Sequence, residues 1–341
     1  MSGMVRIAVD AMGGDYAPRE VVYGAVLAAR EYGVSIRLIG PPAVIQQELS
    51  RHQTGGLDIA IVPASEVVSM EEKPTRAIVK KKDSSIVVTT RQVSEGLADG
   101  MVAAGSTGAA AVAAQIELGR IPNVARSAIA CVMPTAVYRP VIVLDVGANV
   151  ECDAHQLLQF GLMGSILSQG LFGTKDPKVG LLNLGSEETK GTQLVQEAYR
   201  LLKGNKQLNF IGFVEGRDFP LGKVDVVVTD GFTGNVALKT AEGIAKMVSM
   251  MLKHELMSSV QGRLAAVLAK PAFEALKRRI DYNESGGALL IGVKGVCVIA
   301  HGGSKHTAIK NAIRVARDIV AANILKQIEW TLNLAATGSK S

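Results

Sequence analysis

The sequence is poor in the residues and motifs on which most cofactor and scaffold classes depend. Its three cysteines (Cys131, Cys152 and Cys297) lie far apart with no CxxC pair. That argues against a disulfide framework or a zinc site and fits a reducing compartment. Aromatic residues make up only 4% of the chain. The core must therefore be built from Val, Ile, Leu and Ala, and a stacking platform for nucleic acid is disfavoured. GxGxxG and GxxxxGK[ST] are both absent, which removes the dinucleotide and P-loop fingerprints. There is no GxSxG elbow and no HExxH; Ser258 stands where the second His would follow His254-Glu255. Two uncharged stretches, 101–116 and 156–174, carry Ser, Thr, Gln and Gly and read as buried helices rather than membrane spans. The first fifteen residues hold a single Arg and then strand-like alternation, so no secretory signal is expected.

What is present is apolar and patterned. Hydrophobic residues make up 48% of the chain, and the net charge of +6 favours anionic partners. Short apolar runs (5–11, 35–40, 58–64, 100–104, 126–133, 140–146, 178–184, 209–214, 224–229 and 296–300) alternate with helix-period segments. That rhythm predicts an α/β fold: a three-layer α/β/α sandwich around a largely parallel, doubly wound sheet. The expected unit is one domain over 4–330, with a helical hairpin inserted at about 246–280 and a frayed tail at 331–341.

Ligands collect beyond the carboxyl ends of strands in such sheets. Five polar or Gly-rich turns follow strands here: 10–15, 105–108, 145–149, 183–191 and 230–235. Glycine lets backbone N–H groups approach an anion, and the following helix N-terminus adds unpaired donors. Each turn is also what a simple capped turn looks like. Five converging at one sheet edge predict a phosphate site without a nucleotide motif. No metal and no cofactor are expected, because the five histidines are scattered and no cluster has ligand spacing.

At these turns the sequence resembles the phosphate acyltransferase family of bacterial phospholipid synthesis. The resemblance is carried by VDAMGGD (Val9–Asp15), EKP (Glu72–Pro74), STGA (Ser106–Ala109) and LDVGAN (Leu144–Asn149). It continues through GLLNLGSEETKG (Gly180–Gly191), VVVTDGFTGN (Val226–Asn235) and GGA…IAHG (Gly286–Gly302). It implies a fold like the phosphotransacetylases and the isocitrate/isopropylmalate dehydrogenases, generally dimeric. It also implies transfer of a fatty acyl group from acyl carrier protein to inorganic phosphate. A membrane acyltransferase then passes the acyl phosphate to glycerol 3-phosphate. The location implied is cytoplasmic, peripheral to the inner face of the cell membrane. Acyl-coenzyme A as donor, a non-catalytic membrane scaffold and a nicotinamide oxidoreductase on the related fold stay as competing readings.

For that chemistry the candidate catalytic residues are Lys190 for charge stabilisation, Asn235 as an amide donor, Asp230 for orientation and His301 as proton donor to the leaving thiolate. Phosphate or substrate contacts are expected from Asp10, Gly13, Gly14, Ser106, Thr107, Gly108, Asn149, Gly185, Thr233 and Gly234. In the hairpin, Val260, Leu264, Val267 and Leu268 form an apolar stripe beside basic residues, the pattern of a helix lying on an anionic membrane or in an interface. Lys277, Arg278 and Arg279 form a candidate dock for an acidic carrier protein, with Lys80-Lys81-Lys82 as a competing patch. Nucleic acid is a poor partner, since no recognition motif accompanies the charge.

Overall fold

A computed structural model describes residues 4–280 and 286–338. Eleven strands form one sheet in the order β3-β2-β1-β4-β11-β10-β5-β6-β9-β7-β8. In chain order they are β1 (Arg6–Asp10), β2 (Ser35–Gly40), β3 (Ile59–Pro63), β4 (Gly100–Ala103), β5 (Ala128–Met133), β6 (Val141–Leu144), β7 (Lys178–Leu182), β8 (Asn209–Val214), β9 (Val226–Val228), β10 (Ala288–Ile291) and β11 (Val296–Ile299). Strands such as β4, β6, β9 and β11 are buried along their whole length, as continuous apolar runs covered on both faces should be.

One face packs on α1 (Arg19–Tyr32), α6 (Ala154–Phe172), α7 (Gln193–Gly204), α11 (His306–Ala321) and α12 (Ile324–Gly338). The other packs on α3 (Pro74–Lys80), α4 (Ser85–Ser94), α5 (Thr107–Glu117) and the first turns of α8 (Gly231–Ser258). The layered sandwich expected from the sequence is therefore present. Helix α2 (Pro42–Leu49) flanks β2 and β3, while α9 (Val260–Leu268) and α10 (Lys270–Ile280) follow α8.

Three local differences from the sequence reading have clear causes. The single helix expected over 304–328 is two, because Asn323 takes φ 51° and turns the chain between α11 and α12. The helical spacing after β9 predicts a helix from Asn235, but α8 begins four residues earlier, at Gly231, capped by the Asp230 carboxylate, and runs to Ser258. The helical insertion expected over 246–280 is broken at Ser259, which caps α9, its hydroxyl accepting from the Gly262 N–H at 2.9 Å.

The fourth difference changes the site. Strand β10 has no counterpart in the sequence reading, and it is antiparallel to both β11 and β5. Strand β6 is in turn antiparallel to β5. The remaining neighbours are parallel, so β1–β4 and β11 run one way while β6 to β9 run the other. The sheet consists of two parallel halves of opposite direction, joined through β10 and β5.

Candidate active site

The reversal overturns the expectation that all five turns share one edge. The turns after β1 and β4 lie at one rim, together with the one after β11. Those after β6, β7 and β9 lie at the other.

At the first rim the backbones are pressed together. A Cβ on Gly14 (φ +99°) would sit 2.8 Å from the Ala104 carbonyl and 2.9 Å from that of Gly302, and one on Gly13 would sit 3.0 Å from the Gly105 N. The Asp15 N–H donates to the Gly302 carbonyl at 2.8 Å. These glycines are required by close approach before any ligand is considered. Asp10 is buried, and burial pushes its carboxyl above the ordinary range, opposed by hydrogen bonds from Ser85, Met12 and Gly13. It shapes the turn from inside. The Ser106 hydroxyl caps α5, accepting from the Ala109 N–H at 3.3 Å, and Thr107 opens that helix. Gly108 is held by Pro74, whose Cγ lies 2.9 Å from where its Cβ would be. His301 is exposed, and its Nδ1 accepts from the Gly303 N–H at 3.1 Å. Nearby, the buried Ser304 hydroxyl has no hydrogen-bond partner among the described residues.

The second rim is organised by Asp145, which the sequence reading did not single out. Its Oδ1 accepts from the N–H groups of Ile129, Gly147 and Ala148, and its Oδ2 from the N–H and side-chain amide of Asn149. A buried carboxylate can hold so tight a loop because every lone pair finds a donor. The Asn149 amide also donates to the Ser127 carbonyl at 2.7 Å, so both its protons are engaged within the protein. Asn149 therefore braces the loop and has no amide proton left for phosphate. The first turn of α8 lies directly on this loop: a Cβ on Gly234 would be 1.9 Å from the Asp145 carbonyl, and one on Gly231 2.4 Å from that of Asn149. Asp230 and Thr233 cap the helix together, the Asp230 carboxylate accepting from the Thr233 N–H at 2.8 Å and its hydroxyl at 2.7 Å. Asn235, by contrast, is exposed and faces Gly147, and its side chain has no hydrogen-bond partner among the described residues.

Strand β7 lies beside β9, so its turn adjoins this rim. There Lys190 folds over Gly185, and its Nζ donates to Glu187 Oε1 at 2.6 Å. That hydrogen bond holds the Glu187 carboxyl below its usual range. The Asn183 amide donates to the Lys190 carbonyl at 3.1 Å and fixes the base of the turn. Lys190, Gly185, Asn235, Asp230, Thr233, Gly234 and Asn149 thus occupy adjoining strand ends. His301 stands at the opposite rim with Asp10, Gly13, Gly14, Ser106, Thr107 and Gly108, apart from the other candidate catalytic groups.

Between the rims, Cys131 and Met133 of β5 and Ala288 of β10 are only half-buried on the face that also carries Val143 and Ile299. Burial pushes the Cys131 thiol up to about 12, with Glu242 and Lys239 of α8 close enough to act on it. The middle of the sheet is thus partly uncovered beside α8. Among the described residues, no group of three or more His, Cys, Asp or Glu side chains is placed to hold a metal ion.

The family model described as "Fatty acid synthesis protein" matches residues 5–327. A phosphate acyltransferase of Desulforamulus reducens is 50% identical over 333 residues, covering 96% of this chain and 98% of the relative. One of Heliobacterium modesticaldum is 50% identical over 326 residues, covering 95% and 97%. Among solved structures, a phosphotransacetylase from Streptococcus pyogenes superposes with a TM-score of 0.65 at 16% identity, covering 94% of this chain and 95% of that one. At that identity the likeness speaks for the fold.

Proposed function

The chain belongs to the fatty acid synthesis protein family, its curated relatives being phosphate acyltransferases, and from that premise we propose that it transfers a fatty acyl group from an acyl carrier protein thioester to inorganic phosphate. A phosphate oxygen attacks the thioester carbonyl, the tetrahedral oxyanion collapses, and the carbon–sulfur bond breaks. Hydrogen phosphate and acyl thioester give acyl phosphate and free thiol, so the proton lost by the phosphate is the one the thiolate gains. Phosphate is already nucleophilic at neutral pH. The protein's tasks are to bring two anions together and to stabilise the oxyanion.

The observation that carries this reading is the pairing of an unengaged amide with a cation at adjoining strand ends. Asn235 faces the Gly147 backbone, and Lys190 stands over Gly185 on the neighbouring turn. In this role Asn235 donates to the carbonyl oxygen or to phosphate, and Lys190 leaves Glu187 to meet the developing charge. Asp230 and Thr233 set the helix end that presents Asn235. The first-rim residues Asp10, Gly13, Gly14, Ser106, Thr107, Gly108 and His301 shape the entry for the second substrate.

Two surfaces support a peripheral, dimeric enzyme that works at the inner face of the cell membrane and supplies acyl phosphate to a membrane glycerol-3-phosphate acyltransferase. Beyond its first turns α8 exposes Ile244, Met247, Val248 and Met251, a stripe suited to a second copy of the chain. Val260, Leu264, Val267 and Leu268 of α9 are 62–75% exposed, a convex apolar surface suited to a lipid interface. Among the described residues no helix is long and apolar enough to cross a membrane.

The test is to incubate the protein with acyl carrier protein thioester and labelled phosphate. The expected result is phosphate-dependent release of carrier thiol, matched mole for mole by a hydroxylamine-sensitive acyl phosphate. Thiol release that ignores phosphate would overturn the reading.

A further inference from the structure

The first rim adjoins a basic surface whose cations neither catalysis nor packing uses. Helix α3 and its N-cap line an open cavity of about 720 Å³ with Lys73, Pro74, Thr75, Arg76, Val79 and Lys80. One side of α3 is core, with Ala77 and Ile78 buried, while Val79 on the other is 56% exposed. Lys73, Arg76 and Lys80 are exposed around it, and their side chains have no ion-pair or hydrogen-bond partner among the described residues. Their neighbour Lys81 behaves differently: its Nζ donates to Glu72 Oε1 and to the Val67 carbonyl, each at 2.8 Å. The segment thus assigns one cation to holding its own loop and leaves three facing outward around an apolar residue. Glu71 precedes them, while Glu72 is engaged by Lys81.

The position of α3 gives the cleft its meaning. Pro74 packs on Gly108 at the start of α5, and the Met70 Cε lies 3.1 Å from where a Cβ on Gly302 would sit. A partner seated on α3 would therefore stand next to the turns after β4 and β11. The Arg279 guanidinium sits 4.4 Å from the Tyr138 ring centroid, and the side chains of Lys277 and Arg278 lie outside the described residues.

We propose that the α3 cleft docks the acidic carrier protein that delivers the acyl thioester, an inference that rests on the donor named above. Lys73, Arg76 and Lys80 face the carrier's carboxylates, and Val79 with Pro74 meets an apolar patch between them. Charges arranged around a small apolar centre favour fast, salt-sensitive capture and quick release, which suits a carrier that must leave after each turnover. A lipid surface fits α3 less well, because it offers one exposed valine among three cations where α9 offers four exposed apolar side chains.

The test compares wild type with Arg76→Glu/Lys80→Glu, checked for an unchanged melting temperature, and with Arg76→Lys/Lys80→Arg. Two quantities are measured: carrier binding by titration, and kcat/KM on acyl carrier protein relative to S-acyl pantetheine. Charge reversal is expected to weaken carrier binding, and to lower that ratio, by at least about tenfold. It should also flatten the wild type's loss of the ratio with added salt, while the conservative swap keeps it within about twofold. A ratio unmoved by charge reversal overturns the dock, as does a loss confined to binding of anionic vesicles. A loss of the ratio in Lys277→Glu/Arg278→Glu/Arg279→Glu, absent from the α3 variant, overturns it too. Salt-sensitive carrier binding through α3 with no phosphate-dependent thiol release would leave the dock standing and remove the transfer reading.

Discussion

Lys190 Nζ lies 2.6 Å from Glu187 Oε1, so the cation assigned to the developing charge in the proposed transfer is held by a carboxylate of its own turn. In the proposed transfer, phosphate and Glu187 compete for it. Lys190→Ala is expected to lower turnover by about 10²–10³-fold, the scale of a lost oxyanion contact. Thermal stability should hardly change, because exposed pairs contribute little. Glu187→Gln removes the competitor, and the KM for phosphate should fall by about two- to fivefold. Phosphate titrations decide: normal rates in the Lys190 variant exclude it from the mechanism, and a raised KM in the Glu187 variant means the carboxylate orders the turn.

On the proposed reading, Asn235 and Asn149 separate catalysis from architecture. The Asn235 amide makes no hydrogen bond among the described residues, so Asn235→Ala should lose about 10- to 100-fold in kcat at unchanged melting temperature. Asn149→Ala leaves the Ser127 carbonyl and one Asp145 lone pair without their donor, and about 1–3 kcal/mol of stability should go with it. Melting curves for the two variants that cannot be told apart would contradict the division.

The seating of α8 on the Asp145 loop predicts a pair of opposite glycine effects. Gly234→Ala forces a methyl into the Asp145 carbonyl and should cost about 3 kcal/mol, with activity lost as Asn235 shifts. Gly243, in the same helix, has nothing within 4 Å of its Cβ position, so Gly243→Ala should stabilise by about 0.5–1 kcal/mol. Chemical denaturation of both variants is the measurement; equal effects would mean that the close approach does not govern this helix end.

The Arg6–Asp99 pair ties the start of β1 to the segment before β4, its guanidinium donating at 2.7 and 3.2 Å. That contact holds the Asp99 carboxyl below its usual range. A depressed folded-state pKa contributes stability above the unfolded value, near 3.9, and loses it as pH falls through the lowered one. With the side chains 39% and 30% exposed, solvent screening limits the contribution to about 1 kcal/mol. Asp99→Asn should therefore be about 1 kcal/mol less stable at pH 7 and converge on wild type in strong acid. A gap that stays constant with pH would rule out the ionic account.

For the α9 stripe, Val267→Glu/Leu268→Glu should reduce sedimentation with anionic vesicles by at least about fivefold, since it places charge where apolar area meets the interface. Undiminished sedimentation would direct attention to an interface between copies instead.

Most of the strands were legible because their apolar runs are continuous and bounded by glycine or polar turns. Ser35–Gly40 and Asn209–Val214 match their strands residue for residue. Strand β10 was not legible. It is four residues long, and Gly286, Gly287 and Gly292 around it all have positive φ, so it reads as part of a glycine-rich turn. The reversal did leave one signal. Only residues 134–140 separate β5 from β6, too short for the crossover that a parallel pair requires. In the candidate site, chemistry-bearing residue types were visible, but their engagement was not. Whether Asn149 or Asn235 keeps a free amide depends on where Ser127 and Asp145 lie, and no spacing rule reports that.

In a sheet with uniform strand direction, every following helix points its positive end at the same rim. Here α1, α5 and α11 start at one rim and α6, α7 and α8 at the other, because the halves oppose each other. The unpaired N–H groups of the helix starts are consequently divided between two rims instead of being gathered at one.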